Sequence, residues 1–252
     1  MTDNSIYDEE LAKQYDGEIS KNSFNRSDRR KLLKIVEHKI PTNHLIVDVG
    51  GGTGTDAIIL AKKGYKVCII EPSISMFERA HKKVKENNLT DKVELLHGDS
   101  SVINQITTQT DCPVSVISNF SSLNHLETPS QELTNISNMV SPGGYFIFSI
   151  GNPFFYGHFK MLRIFNVLIN LAISGIARSQ LHSTTYNYYR KNFLSSRMPN
   201  LVLKERSLSV SRLSENYQNS LIGRVSKLLL RYFPFVLPSG SAFQMYVWKR
   251  NA

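Results

Sequence analysis

A chain of 252 residues that is 41% hydrophobic can bury a substantial core, which excludes a small stapled scaffold or a disordered tail and favours one α/β unit with an appendage. Its net charge of +9 is lopsided: residues 1–150 hold 16 basic against 19 acidic side chains, and residues 151–252 hold 14 against 2, so the second part is expected to face something anionic. The two cysteines, Cys68 and Cys112, have no metal-ligand spacing, and the polar start MTDNSIYDEE has no signal-peptide pattern, so no metal site and a cytoplasmic location are expected.

The first two-thirds alternates helix and strand patterns, as a parallel sheet covered on both faces requires. A helix is predicted over Arg26–His38 and a first strand over Leu45–Val49. Asp56–Lys63 reads as a helix stopped by Gly64, followed by a strand over Tyr65–Glu71 with Cys68 inside it. Next come a helix over Ser73–Asn87, with Ile74, Phe77, Ala80 and Val84 on one face, and strands over Lys92–His97 and Val114–Asn119. A helix over Ser130–Val140 and the turn Ser141-Pro142-Gly143-Gly144 lead into a fifth strand, Tyr145–Ile150.

After Gly151 the pattern changes. Phe159–Arg178 reads as a long apolar helix with one narrow polar stripe of Lys160, Arg163, Asn166, Asn170 and Ser174. LVLKERSL and FQMYVWKR are strand candidates, separated by an apolar-basic helix over Leu221–Phe233. Residues 151–200 and 211–240 are therefore read as insertions on one sheet.

The chemistry lies in VDVGGGTGTD, four glycines between a buried strand and a helix, where backbone can approach a ligand closely. A phosphate-cradling loop needs a lysine followed by Ser or Thr after its last glycine, and here Gly54 is followed by Thr55-Asp56. A dinucleotide loop fits Gly52-Thr53-Gly54-Thr55-Asp56-Ala57, but Asp48 just before the glycines would repel a pyrophosphate. Asp48 suits a ligand with a cationic group.

The order Asp48-x-Gly50-x-Gly52-x-Gly54 resembles the first motif of class I S-adenosylmethionine-dependent methyltransferases of the small-molecule type. The resemblance covers residues 26–150 and implies an α/β, doubly wound, mostly parallel seven-stranded sheet with strand seven antiparallel and a helical insertion after strand five. It implies S-adenosylmethionine as cofactor. Asp48, Gly50, Gly51, Gly52 and Gly54 would face its methionine part. Glu71 would take the ribose hydroxyls, with Pro72 and Met76 following it; Asp99 would take the adenine amino group, with Ser100 beside it. Asn119 stands where the family places cofactor and acceptor contacts. Ser118-Asn119-Phe120 is not an Asn/Asp-Pro-Pro-Tyr run, which argues against the adenine- and glutamine-methylating branches. Residues 1–25 resemble the family's lid segment, in which Tyr15 rather than Tyr7 is expected to close over the cofactor.

His125, just after strand four, is the candidate general base, and His158 a weaker one. The expected organisation is thus a lid (1–25), a cofactor-binding core (26–150) and a C-terminal portion (151–252) carrying the cap and the last two strands. The expected acceptor is a small, fairly apolar or lipid-like molecule, with possible peripheral contact to an anionic membrane. Nucleic acid fits less well, because the basic residues are interleaved with Leu, Ile and Phe. Two other functions remain open: an NAD(P)-dependent oxidoreductase on the same loop, and a non-catalytic membrane or partner adaptor.

Overall fold

The runs LIVDV, KVCIIE, VSVIS and YFIFSIG are buried along almost their whole length, so these strands need cover above and below. The computed structural model describes residues 9–103, 111–155, 164–181, 184–209 and 241–252. In it, strands β1 (Leu45–Val49), β2 (Lys66–Glu71), β3 (Val93–His97), β4 (Val114–Ser118) and β5 (Tyr145–Gly151) run parallel. A hairpin of β6 (Ile176–Leu181) and β7 (Thr184–Tyr189) follows, then β8 (Leu201–Leu208) and β9 (Phe243–Arg250). The main sheet has seven strands in the order β3-β2-β1-β4-β5-β9-β8, with β9 antiparallel to both neighbours. This is the doubly wound, mostly parallel sheet expected from the sequence.

The helices are α1 (Glu9–Lys21), α2 (Ser23–Lys39), α3 (Thr55–Lys62), α4 (Ile74–Glu86), α5 (Pro129–Met139), α6 (Ile164–Ser174) and α7 (Lys191–Arg197). The two-residue period of the strands sorts the core between the two faces. Val47, Cys68, Ile70, Phe146, Phe148, Tyr246 and Trp248 meet α5 and α7 on one side. Ile46, Val67, Ile69, Ile147, Met245 and Val247 meet α2, α3 and α4 on the other. Burial pushes the Cys68 thiol up to about 12, so it behaves as an inert core residue.

The helix predicted over Phe159–Arg178 is corrected. Its described part, α6, stops at Ser174; Gly175 turns left-handed at φ 75°, and Ile176–Leu181 leaves as β6. The hairpin was missed because its strands are polar as well as apolar, and only the glycine after Ser174 marks the break. Residues 159–163 and the helix predicted over 221–233 lie outside the described residues, as do Tyr7 and His158.

The hairpin is fastened to the segment after β4. Asn187 donates from Nδ2 to the carbonyls of Asn124 and Leu126, and Asn124 returns a short hydrogen bond to the carbonyl of Asn187. Tyr189 donates to the carbonyl of Leu123 at 2.6 Å. Asn124 Oδ1 also accepts from the Gly151 N–H at 3.0 Å, so one side chain joins the ends of β4 and β5 to the cap. Between hairpin and α6, Val167, Leu171, Ala177, Tyr186 and Tyr188 form a small core of their own.

The turn into β5 tests the packing. A Cβ on Gly144 would press into the carbonyl oxygens of Val114 and Ser141, which are backbone atoms and cannot swing away. Gly144→Ala is expected to destabilise the fold by about 1–3 kcal/mol, measured as a lower urea midpoint with an unchanged slope.

Candidate functional site

In an open α/β sheet, the crevice opens where neighbouring strands send their connections to opposite faces, beyond the strands' carboxyl ends. Here that point lies between β1 and β4. The chain leaves β1 through Gly50, Gly52 and Gly54, at φ 67°, 56° and 75°, values that favour glycine. Gly50 has a second reason: a Cβ there would come within 2.5 Å of Ser122 Cβ, and Ser122 donates back to the Gly50 carbonyl at 3.0 Å. Gly51 packs on Ile69 and the Asp48 carboxyl, whereas a Cβ on Gly52 would meet nothing within 4 Å and would enter open space.

Three carboxylates are buried around this loop. Glu71 Oε2 accepts from the Gly52 N–H at 2.8 Å, and its Oε1 accepts from the Ser73 N–H at 2.9 Å. Asp56, in the first turn of α3, pairs with Arg29 Nε at 2.6 Å and accepts from Asn119 Nδ2 at 2.8 Å. Asp48 is 2% exposed, and its Oδ2 has no hydrogen-bond partner. Burial, with Asp56 and Glu71 nearby, pushes the Asp48 carboxyl well above the usual carboxylate range. Burial also raises Glu71, against the two backbone hydrogen bonds that favour its charge.

The cleft over the loop is lined by Tyr15 from α1, Arg29 from α2, Asp48 and the glycines, and Asn119, Phe120 and Ser122 after β4. Asn119 is held at both ends of its amide, because its Oδ1 also accepts from the Phe120 N–H and the Ser149 hydroxyl, each at 2.8 Å. That grip holds Phe120 and Ser121 at φ 49° and 66°, a left-handed pair costly for non-glycine residues. Phe120 lies under the Arg29 guanidinium at 4.9 Å and meets Phe243 edge-on at 6.1 Å.

The expected residues thus separate into groups. Tyr15, Asp48, Gly50, Gly51, Gly52 and Asn119 come together in the cleft, and Glu71 is joined to Gly52. Gly54 caps α3 and packs on Ala80 and Ile69. Pro72 is exposed and offers its carbonyl to His97 Nε2 at 3.1 Å, while Met76 is buried in the first turn of α4. Asp99 is exposed and accepts from the Ser101 N–H at 2.8 Å; Ser101 hydrogen bonds hold its carboxyl below the ordinary value. Ser100 is buried, its hydroxyl 3.5 Å from Glu132. His125 is not among the cleft-lining residues. It is half-buried against the hairpin, edge-on to Tyr186 at 5.2 Å, and burial lowers its basicity despite a backbone hydrogen bond with Thr185.

Sequence reasoning missed Arg29, Asp56 and Asp16. Arg29 lies in the basic run Arg26–Arg30, which reads as a solvated helix face; only its placement beside the loop reveals it. Asp16 reaches Thr53 and Thr55 of the loop through its carboxylate, and the one signal for it is its position next to Tyr15.

A family model described as a methyltransferase domain matches residues 7–198. A tRNA 5-carboxymethoxyuridine methyltransferase of Escherichia coli K12 is 25% identical over 113 residues, 45% of this chain and 42% of that protein. The match thus spans less than half the length of that curated relative. Among solved structures, an S-adenosylmethionine-dependent methyltransferase from Clostridium acetobutylicum aligns with TM-score 0.58 at 12% identity, covering 96% of this chain and 98% of that one. The 1,6-didemethyltoxoflavin-N1-methyltransferase of Burkholderia thailandensis, with S-adenosylhomocysteine bound, aligns with TM-score 0.56 at 10% identity, covering 96% and 88%.

Asp48 has a measurable signature. A carboxyl raised in the fold gives stability that is complete below its unfolded value, near 3.8, and is lost as pH rises through the folded value. Asp48→Asn removes that loss. In melts from about pH 4 to about pH 9, the stability of the variant relative to the native chain should climb by about 1–3 kcal/mol. A flat difference would place Asp48 in a polar, solvated setting.

Proposed function

Because the chain belongs to the methyltransferase domain family and takes S-adenosylmethionine as its cofactor, we propose that it transfers the cofactor's methyl group to a small, fairly apolar acceptor bound beyond β4 and β5. The observation that carries the cofactor assignment to these residues is the Asp48 Oδ2, a buried acceptor without a partner beside a glycine loop that leaves open space at Gly52. A cationic ligand suits that acceptor, because its charge offsets the repulsion from Asp56 and Glu71. On this reading, Asp48 holds the amino end of the cofactor and Arg29 attracts its carboxylate. Glu71 uses the lone pairs left by Gly52 and Ser73 for the ribose, and Asp99 serves the adenine. When bound, the cofactor supplies a methyl group already activated on a sulfonium. The protein's task is then to align the acceptor and exclude water. Asn119 is a holding residue for the Phe120 turn, and His125 packs the cap.

An apolar acceptor is supported by Phe120 at the cleft, with Phe243 edge-on to it, and by the aromatic cap of Tyr186 and Tyr188. A lipid-like acceptor, with contact to an anionic membrane, draws support from α6, where Ile169 and Ile173 are 56% and 81% exposed. No helix among the described residues is long and apolar enough to cross a membrane. A second reading, a tRNA base, draws on the Escherichia coli relative and on a groove of about 420 Å³ lined by Lys31, Lys34, His38 and Lys39 with Glu205. Turnover with labelled cofactor, supplied with a lipid extract, a polar metabolite extract or bulk tRNA, separates these acceptors.

The cofactor site is tested by calorimetry. Binding of the cationic cofactor should draw Asp48 into its charged form and release a proton, seen as a binding heat that depends on the buffer. Asp48→Asn should lose the proton release, and Arg29→Ala and Gly52→Val should each weaken binding about tenfold or more. Unchanged binding in all three variants would move the cofactor elsewhere.

A further inference from the structure

The described side chains of helix α1 bury little apolar surface. Of its described side chains, only Ala12 is buried. Yet Tyr15 of this helix lines the cleft, and the cleft beneath it holds only about 30 Å³. Ligand pockets run to about 300–1,000 Å³, and a shift of α1, which carries Tyr15, would widen this cleft for a cofactor. What fastens α1 is therefore what controls access.

Among the described contacts of α1, four converge on one carboxylate. Asp16 Oδ1 accepts from the Thr53 hydroxyl at 2.5 Å and the Thr55 hydroxyl at 3.0 Å, both in the glycine loop. Asp16 Oδ2 meets Lys83 Nζ at 2.7 Å and Arg79 Nε at 3.5 Å, both on α4. Lys83 closes the ring by donating to Thr55 at 2.7 Å and Thr53 at 3.1 Å. We propose that Asp16 is a positioning residue: its carboxylate latches α1 to the glycine loop and α4, holds Tyr15 over the cleft, and sets how long the cofactor stays bound.

The chemistry suits a latch rather than permanent packing. The ion-paired side chains of Asp16 and Lys83 are 26% and 22% exposed, open enough for salt to reach them. Burial works to raise the Asp16 carboxyl, but the hydrogen bonds from Lys83, Thr53 and Thr55 and the Lys83 charge win, so it stays ionised. Without it, Lys83 and Arg79 would face each other with no acid between them. The anchor and the residue it positions are adjacent in the chain, so a change at Asp16 acts on the backbone that carries Tyr15.

The latch rests on the cleft being the cofactor site, and its test has an arm that does not. In the ligand-free chain, hydrogen exchange over α1 should be about tenfold faster in Asp16→Ala than in the native protein, with β1 to β5 equally protected in both. High salt should speed α1 in the native chain and leave the variant unchanged. In stopped-flow displacement, S-adenosylhomocysteine should leave Asp16→Ala about tenfold faster, and its Kd by calorimetry should rise by about the same factor. Lys83→Met should give the same acceleration and add little to Asp16→Ala. Asp16→Glu should recover part of the loss. Equal α1 exchange in the native chain and Asp16→Ala overturns the latch, as does an equal loss of protection in the sheet. If the native chain binds no S-adenosylhomocysteine, the cofactor reading fails by itself and the exchange arm still decides the latch.

Discussion

Two backbone N–H groups, from Gly52 and Ser73, point at the two oxygens of one buried carboxylate, that of Glu71. Each belongs to a different segment: the glycine loop after β1 and the entry into α4 after β2. Neither loop has regular partners for these groups, and a buried N–H left unpaired is costly. Glu71 therefore fixes the spacing of two adjacent strand ends. The cleft, the Asp16 contacts to Thr53 and Thr55, and the direction of α4 all follow from that spacing. The cost is an acid held in low dielectric, visible in its raised proton affinity.

The same low dielectric ties the three acids together. Asp56 is neutralised by Arg29 and held by Asn119, so it binds α2, α3 and the end of β4 into one frame. Asp48 receives neither kind of support at Oδ2. A chain built for stability alone would place an apolar residue there, because a buried acid without a partner is among the costlier features of a fold. Its position at the mouth of the loop, rather than deep in a hydrophobic layer, makes that cost useful to a ligand that brings positive charge. The strained turn at Phe120 and Ser121 lies across the same cleft, in keeping with strain gathering where a site is built.

The sheet was legible because its strands are short apolar runs punctuated by glycine and proline, and the glycine loop because its conformations exclude other residues. That Asp48 and Glu71 would stand beside the loop was legible for the same local reason: they lie at fixed offsets from the glycines. Arg29 and Asp16 were not, because their roles depend on helices folding back over a loop some twenty and forty residues away, and nothing in a polar helix face marks which residue will touch. The hairpin Ile176–Tyr189 was hidden differently. Its two sides are held by Asn124, Asn187 and Tyr189, polar side chains whose partners are backbone carbonyls in another segment. Periodicity reports burial of apolar groups and is silent on such bonds. His125, chosen for its place after β4, falls against that hairpin.

Strand β9 completes the sheet between β5 and β8, and it is synthesised after every other strand. Until it emerges from the ribosome, Phe146, Phe148 and Ile150 stand on an open edge, with no Met245, Tyr246 or Trp248 to close it. The sheet without β9 thus carries an unpaired apolar margin along β5, the kind of edge most prone to pair with a neighbour.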